Sequence, residues 1–342
     1  MHVYIVLLNW NGARDTVACL ESVLRLQGVD FKAVVCDNGS KDDSVETFRA
    51  WAAGSFVADT VGNPLPEALR VPIPKPLRLV EYDRAEAEQG GRPAVDGGAE
   101  VFLLHTGANL GFAGGCNVGI RFAMARGDAD FVWLLNNDTV VEPQALAALV
   151  ARATRADQPG IVGSMLCYFD APDRVQSLGG GTYSARRAMS RHIADGASRS
   201  GLDAAQFSRA EREMVYVVGA SMLVSRRFLA TVGVMQEDYF LYFEEIDWAE
   251  RARRLDPTLG LAFAPDSVVY HKVGASAGTQ RRSMLSLRYL TVNRLRFVKR
   301  FHAAQLPAAR LSVAWEGVKA LLKGHLAEAR LMLGTALSPV KV

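Results

Sequence analysis

The first polar and apolar positions along the chain already set a repeating unit. His2 to Asn9 is a β-branched and aliphatic run that ends in Asn9-Trp10-Asn11-Gly12, the pattern of a buried strand emptying into a loop. From Thr16 to Leu26 the apolar residues Val17, Leu20, Val23 and Leu24 recur at helical spacing. A second strand, Phe31 to Cys36, ends at Asp37-Asn38-Gly39, and Ser40 with Asp43 three residues on predicts a capping box opening a helix that runs to Trp51. Two strand–helix units in succession predict an α/β fold with a largely parallel sheet.

Between about residues 54 and 98 the periodicity gives way to Pro64, Pro66, Pro72, Pro74, Pro76 and a glycine-rich Gln89-Gly90-Gly91-Arg92-Pro93, with at most a short strand at Leu77 to Tyr82. This reads as a surface insertion. Regular patterning resumes with strand Val101 to His105, helix Gly114 to Arg126, strand Phe131 to Leu135 and a helix opened by Pro143. Beyond Gly160 come shorter strands (Ile161 to Leu166, Val215 to Val218), a Gly179-Gly180-Gly181 turn, a helix from Glu244 to Arg254 and a strand Val268 to Tyr270, in mixed order. After His271 the composition changes. Nine basic residues (Lys272, Arg281, Arg282, Arg288, Arg294, Arg296, Lys299, Arg300 and Arg310) precede the next acid, Glu316. The division predicted is a main domain over 1–280 and a basic, amphipathic helical region over 281–342.

Composition narrows the class without naming it. The chain has 342 residues, 49% hydrophobic and 22% charged, which is enough to bury a sizeable core. A net charge of +3 gives no argument for nucleic acid. Cys19, Cys36, Cys116 and Cys167 are far apart and form no CxxC pair, so a reduced, cytoplasmic setting is expected rather than a disulfide framework or zinc site. The apolar strand Val3 to Leu8 follows the N-terminus without a basic leader, and no apolar run is long enough to span a bilayer. A substrate on a membrane would have to be reached from its surface.

In an open parallel sheet, ligands bind beyond the carboxyl ends of the strands, where loops and helix N-termini converge. Three polar clusters fall at such ends: Asn9-Trp10-Asn11-Gly12, Asp37-Asn38-Gly39-Ser40 and Asn136-Asn137-Asp138-Thr139. One carboxylate after a strand is commonly a turn or cap residue, but three such ends in one sheet favour a nucleotide site. Glu244, Glu245 and Asp247 crowd beside the aromatic run Tyr239 to Phe243. Acids suit a helix start electrostatically. An aromatic wall beside clustered acids also raises a carboxyl pKa and aims it at a hydroxyl. Gly111-Phe112-Ala113-Gly114-Gly115 lacks the GxGxxG spacing of a dinucleotide fingerprint.

The segment Trp133 to Thr139, with Asn136-Asn137-Asp138, resembles the DxD-type metal motif of GT-A glycosyltransferases, specifically the large inverting family 2 that includes bacterial rhamnosyltransferases. The resemblance runs from about Val3 to Ser276 and includes Asn109-Leu110-Gly111-Phe112-Ala113-Gly114-Gly115-Cys116-Asn117, Gly219 to Arg227 and Tyr242-Phe243-Glu244-Glu245-Ile246-Asp247. It implies a GT-A fold, Rossmann-like, with a mixed, mainly parallel sheet. It implies a nucleotide-sugar donor held by Asn9, Asn11, Asp37, Asn109, Gly111, Asn117, Asn136 and Asn137. It also implies Mg²⁺ or Mn²⁺ on Asp138 and His271, and Glu245 as the general base, with Ala220, Glu244 and Trp248 on the acceptor side. Asn136 stands where the motif more often has its first acid, and Glu245 where the family more often has Asp.

The resulting expectation is transfer of a sugar, from deoxythymidine-diphosphate rhamnose or a uridine-diphosphate sugar, to a saccharide or lipid-linked acceptor in surface-polysaccharide assembly. The alternatives are a sugar-phosphate nucleotidyltransferase, for which Asn9 to Arg14 is a poor triphosphate loop, and a non-catalytic nucleotide-sugar-binding protein. The basic region offers two uses. Arg281 and Arg282 would screen the donor diphosphate, whereas Arg294, Arg296, Lys299 and Arg300, with Leu290, Leu295, Phe297 and Phe301 among them, would lie on an anionic surface at the inner face of the plasma membrane. The segment Val313 to Leu333, with Trp315, Val318, Leu322 and Leu326 at helical spacing, would add an apolar face or pack on the main domain.

Overall fold

In a computed structural model of the protein, the described residues are 1–58, 63–272 and 283–340. Thirteen strands occur among them: β1 (His2–Asn9), β2 (Asp30–Asp37), β3 (Leu79–Asp83), β4 (Val101–His105), β5 (Phe131–Asn136), β6 (Thr139–Val141), β7 (Ile161–Tyr168), β8 (Ala171–Leu178), β9 (Gly180–Ser184), β10 (Met189–His192), β11 (Tyr216–Val217), β12 (Ser221–Ser225) and β13 (Leu261–His271). Ten form one sheet in the order β3-β4-β2-β1-β5-β12-β7-β13-β6, with β8 on β7. β3, β4, β2, β1 and β5 are mutually parallel, and β12 runs antiparallel between β5 and β7. β10, β9 and β11 make a small antiparallel sheet.

The continuous apolar run of β1 follows from burial on both faces. Val3, Ile5 and Leu7 face one core with Val17 and Leu20 of the helix Ala13–Val23, while Tyr4 and Val6 face another with Val118 and Phe122 of the helix Gly111–Arg126. Close approach of the second helix depends on glycine. A Cβ on Gly119 would lie 3.0 Å from Cys36 Sγ, and one on Gly115 would collide with Leu8 Cδ1. From β1 the chain builds outward to β2 on one side and later places β5 on the other. The crevice where strand order reverses therefore opens at Asn9, Asp37 and Asn136.

The structure departs from the sequence pattern in four places. The region 54–98 is more than a surface insertion, because its strand β3 is the edge of the main sheet. Gly180 and Gly181 are strand residues of β9 rather than a turn, since side chains there would run into the Tyr216 carbonyl and hydroxyl oxygens. The Ser40/Asp43 capping box does not form. Asp43 is the N-cap of the helix Ser44–Ala53 without a side-chain bond, and Ser44 N and Oγ donate to Asp42 Oδ1 instead.

The fourth departure concerns the basic region, which forms the helices Met284–Phe301, Leu306–Leu322 and Leu326–Leu337. The first is not a membrane-facing basic helix. Leu295 and Phe297 are buried, Arg294 is buried in a two-pronged pair with Glu316 (2.7 Å each), and Arg300 bonds Asp238 and Asp247 at 3.0 Å. Arg296 donates to the Asp238 carbonyl and Lys299 to the Val340 carbonyl. A desolvated guanidinium is tolerated only when paired in this way. The run without acids had hidden partners distant in sequence.

Candidate active site

The donor-side crevice is a lattice of side-chain amides. Asn9, fully buried at the end of β1, donates from Nδ2 to Asp37 Oδ1 (3.0 Å) and Ser40 Oγ (3.1 Å), and its Oδ1 accepts from Thr16 Oγ1 (2.8 Å). Asn137 Nδ2 donates to the same Thr16 hydroxyl at 2.9 Å, tying the turn after β5 to the first turn of the helix Ala13–Val23. Asn11, at a positive φ of 51°, receives Lys41 N at 2.7 Å, and Ser40 N donates to Asp37 Oδ2 at 3.2 Å. These bonds fix the strand-end loops before any ligand arrives. Trp10 stands 51% exposed beside them.

A second layer joins this floor to the helix Gly111–Arg126. Asn38 Nδ2 donates to Asn109 Oδ1 and to the Gly111 carbonyl at 3.1 Å each, and its Oδ1 accepts from Leu110 N at 3.0 Å. Gly111 has φ +74° and lies so close to Phe240 that a Cβ would collide with the Phe240 carbonyl. Phe112 N donates to that carbonyl at 2.6 Å. The aromatic loop before Glu244 is thus docked on the N-terminus of the helix that roofs the crevice. Asn117, expected to touch donor, is fully buried, and its amide exchanges bonds with Met235 N and O and with Glu237. It positions the backbone leading into that loop.

Asp138 and His271 meet. The short strand β6 pairs antiparallel with the end of β13, Thr139 opposite His271, and Lys272 N donates to the Asp138 carbonyl at 3.0 Å. His271 Nε2 consequently lies 3.1 Å from Asp138 Oδ1 and 3.3 Å from Asn136 Nδ2. The other ring nitrogen, Nδ1, sits 2.9 Å from the buried Gln176 Oε1, which can only accept, so Nδ1 carries the proton. The Nδ1–H bond to Gln176 is the kind by which metal-binding histidines are held, and it points Nε2 to the position between Asp138 and Asn136 where a cation would sit. Among the described residues no three His, Cys, Asp or Glu side chains converge on a metal position. A divalent cation here would draw its remaining oxygen ligands from a bound diphosphate, the manner in which Mg²⁺ is usually held. The donor set fits such an ion. Gln176 was invisible in the sequence because only the β7–β8 and β7–β13 pairings bring it beside His271.

The loop Phe240 to Phe243 holds three residues at positive φ (Phe240 61°, Tyr242 68°, Phe243 80°), a conformation that costs about 1–3 kcal/mol at each non-glycine residue. Asn293 of the helix Met284–Phe301 restrains it by donating to the carbonyls of Tyr239 (2.7 Å), Leu241 (2.8 Å) and Tyr242 (3.2 Å). Tyr289 stacks on Phe240 at 4.7 Å. Asp247, fully buried, accepts from Tyr239 Oη (3.0 Å), Arg251 Nε (2.7 Å) and Arg300 Nη1 (3.0 Å), so this third acid is structural.

Glu244 and Glu245 begin the helix Glu244–Leu255. Burial pushes the Glu245 carboxyl up to about 7, while backbone N–H groups pull the other way. Burial raises Glu244 well above the usual carboxylate range and the neighbouring Glu245 adds to it; its Oε2 is buried without a hydrogen-bond partner. Trp248, expected on the acceptor side, is instead a core residue. Its ring is fully buried edge-on to Phe228, and Nε1 donates to the Gly233 carbonyl at 2.9 Å. Ala220 is buried in the turn just before β12, where its carbonyl accepts from Asn136 N at 3.0 Å. Arg281 and Arg282 lie outside the described residues.

Comparison with known proteins identifies the family and the fold. The chain is 26% identical over 248 residues to the N-acetylglucosaminyl-diphospho-decaprenol L-rhamnosyltransferase of Mycobacterium tuberculosis, an alignment covering 64% of this chain and 74% of the relative. It is 23% identical over 171 residues to the low-salt glycan biosynthesis hexosyltransferase Agl10 of Haloferax volcanii, covering 49% and 52%. In fold it matches the mannosyltransferase PcManGT of Pyrobaculum calidifontis, solved with GDP-Man and Mn²⁺, at a TM-score of 0.51 with 14% identity over 98% of this chain and 86% of that one. It also matches GalNAc-T7, solved with UDP, GalNAc and Mn²⁺, at 0.59 with 12% identity over 96% and 54%. The fold is GT-A. The family model described as glycosyltransferase-like family 2 matches residues 93–288, more than half the chain, and the protein belongs to that family of glycosyltransferases.

Proposed function

We propose that the protein moves a sugar from a nucleoside-diphosphate sugar to a hydroxyl of a saccharide or lipid-linked acceptor, with inversion at the anomeric carbon, in surface-polysaccharide assembly on the cytoplasmic side of a membrane. The donor favoured is deoxythymidine-diphosphate rhamnose, with a uridine-diphosphate sugar next. The Mycobacterium tuberculosis relative, named as a rhamnosyltransferase acting on a diphospho-decaprenol, supports both the sugar and the acceptor class. Residues 1–280 carry the reaction, and 281–342 clamp the acceptor-side loop and supply a surface.

The observation that carries the reading is the Asp138–His271 pair, 3.1 Å apart at the crevice mouth and oriented by Gln176. Asp138 and His271 would hold Mg²⁺ or Mn²⁺, which when bound neutralises charge on a diphosphate leaving group. Asp37, Asn9, Asn11 and Asn137 shape the floor for the nucleotide, and Asn109 and Gly111 set the helix N-terminus above it. Glu245, with a carboxyl titrating near neutrality, removes the proton from the attacking hydroxyl. A single displacement leaves the configuration inverted. The family assignment sets aside the nucleotidyltransferase and non-catalytic readings.

Incubating the protein with Mn²⁺ and a panel of nucleoside-diphosphate sugars, and measuring nucleoside diphosphate release with and without a lipid-linked saccharide, tests the proposal. Release from one donor, stimulated by acceptor, is expected. No release from any donor while each is bound would overturn it.

A further inference from the structure

The helices Leu306–Leu322 and Leu326–Leu337 form an antiparallel hairpin around Lys323 to His325. Its inner side is closed. Ala309, Val313, Met332 and Ala336 pack with Leu295 and Val298 of the helix Met284–Phe301, and Arg310 donates to the carbonyls of Ala336 and Ser338. Its outer side is apolar and open: Leu311 is 72% exposed, Trp315 57%, Leu322 80%, Leu326 68% and Leu337 83%. At about 100° per residue, Leu311, Trp315 and Leu322 fall within an arc of roughly 40°, and Leu326 and Leu337 lie about 20° apart on the second helix. Isolated exposed leucines are ordinary, but a two-helix stripe of them marks an interaction surface.

Charge selects the partner. Lys319 Nζ lies 5.5 Å from the Trp315 ring, and Lys323 at the turn and Arg330 on the second helix are exposed. Glu316, beside Trp315, is engaged by Arg294, and Glu328 faces His325 at 3.6 Å. The open stripe is thus edged by cations. No helix among the described residues is long and apolar enough to cross a membrane. A second copy meeting this face across a two-fold axis would bring its lysines toward their own counterparts.

We propose that this hairpin docks peripherally on an anionic bilayer, with Trp315, Leu322 and Leu326 at the acyl boundary and Lys319, Lys323 and Arg330 over acidic headgroups. The inference deepens the acceptor reading and rests on it only for its purpose. The same helical unit grips the Glu245 loop through Asn293, so docking holds the acceptor side beside the membrane that carries a lipid-linked saccharide.

Sedimentation with vesicles of phosphatidylcholine alone, or mixed with phosphatidylglycerol, over a salt series tests this. The wild type is expected to bind the anionic vesicles selectively and to release as salt rises. Lys319→Gln with Lys323→Gln should weaken binding about fivefold per lysine, from about 1 kcal/mol each. Trp315→Ser with Leu322→Ser should weaken it more than about tenfold. Both exposed-face variants should keep the wild-type melting temperature and its shift with nucleoside diphosphate. Lack of preference for anionic vesicles, or wild-type partitioning by both variants, overturns the proposal. So does self-association of the wild type that Trp315→Ser abolishes, which would make the face a copy interface. Vesicle binding without donor binding would sink the reaction reading and leave the docking surface standing.

Discussion

The two halves of the active site are stabilised in opposite ways. On the donor side, amides, hydroxyls and the Asp37 carboxylate at strand ends bond one another, and Asn9, Asn38 and Asn137 are satisfied by the main sheet, its loops and Thr16 in the first turn of the helix Ala13–Val23. On the acceptor side, a loop with three positive-φ aromatics leads to a buried carboxyl, Glu244, one oxygen of which has no partner, and a half-buried one, Glu245, and part of the restraint comes from a helix some fifty residues later. The first half is preorganised by the fold. The second is strained and held partly from outside, and burial there lifts the Glu245 carboxyl to about 7.

The largest effect is expected where the held group does the chemistry. Glu245→Gln should keep donor binding and lose transfer by roughly 10²-fold or more, the usual result of removing a general base. Turnover should rise with pH through about 7 in the wild type, because only the ionised carboxylate accepts a proton. Stability should move the other way. A carboxyl raised from 4.5 to about 7 on folding binds its proton more tightly in the native state, so its contribution is intact below about 4.5 and is lost as pH rises through about 7. Melting temperatures over that window, wild type against Glu245→Gln, check the sign: the variant's profile should be flatter.

Next comes the remote clamp. Asn293→Ala frees three carbonyls and should loosen the loop, lowering kcat by up to about 10²-fold, as small misplacements of catalytic groups do. Nucleotide affinity, set by the other half, should stay unchanged. A parallel loss of both would show that the halves are not independent. Asn293→Asp supplies a control, since a carboxylate cannot donate to those carbonyls.

On the donor side the expected losses are smaller and confined to binding. Asp138→Ala should abolish the additional melting shift that Mn²⁺ gives over nucleoside diphosphate alone, by linkage. Gln176→Ala, which frees the His271 ring, should weaken metal affinity by about 10–100-fold. Equal shifts with and without metal would point to a metal-independent site.

How far the sequence could be read follows the same division. Asn9, Asp37 and Asn136 were legible because each directly ends an apolar run, and a strand end is a local signal. The Asp138–His271 meeting was reached only through a family resemblance, since it depends on β6 pairing with β13 more than a hundred residues later. Gln176 and Asn293 were not seen at all: each sits within a regular element, and its role exists only through partners supplied by tertiary packing. The basic run from Lys272 to Arg310 misled for the same reason. Its lack of nearby acids suggested free charge, but Arg294 and Arg300 find Glu316, Asp238 and Asp247 in space.

Trp248 gives the smallest effect and the sharpest check on where the acceptor side ends. It lies three residues after Glu245, and a tryptophan near a sugar site invites a stacking role. Yet the helix turns its ring away from the crevice into the core against Phe228, with its N–H on the Gly233 carbonyl. Trp248→Phe removes that one hydrogen bond and part of the ring, so a loss of about 1–3 kcal/mol of stability is expected. The acceptor KM should not move, because the substrate never reaches the ring. Denaturant melts paired with acceptor titrations separate the two readings. A raised KM at unchanged stability would return Trp248 to the acceptor site, whereas lower stability at constant KM places the boundary of the held half at Glu245 itself.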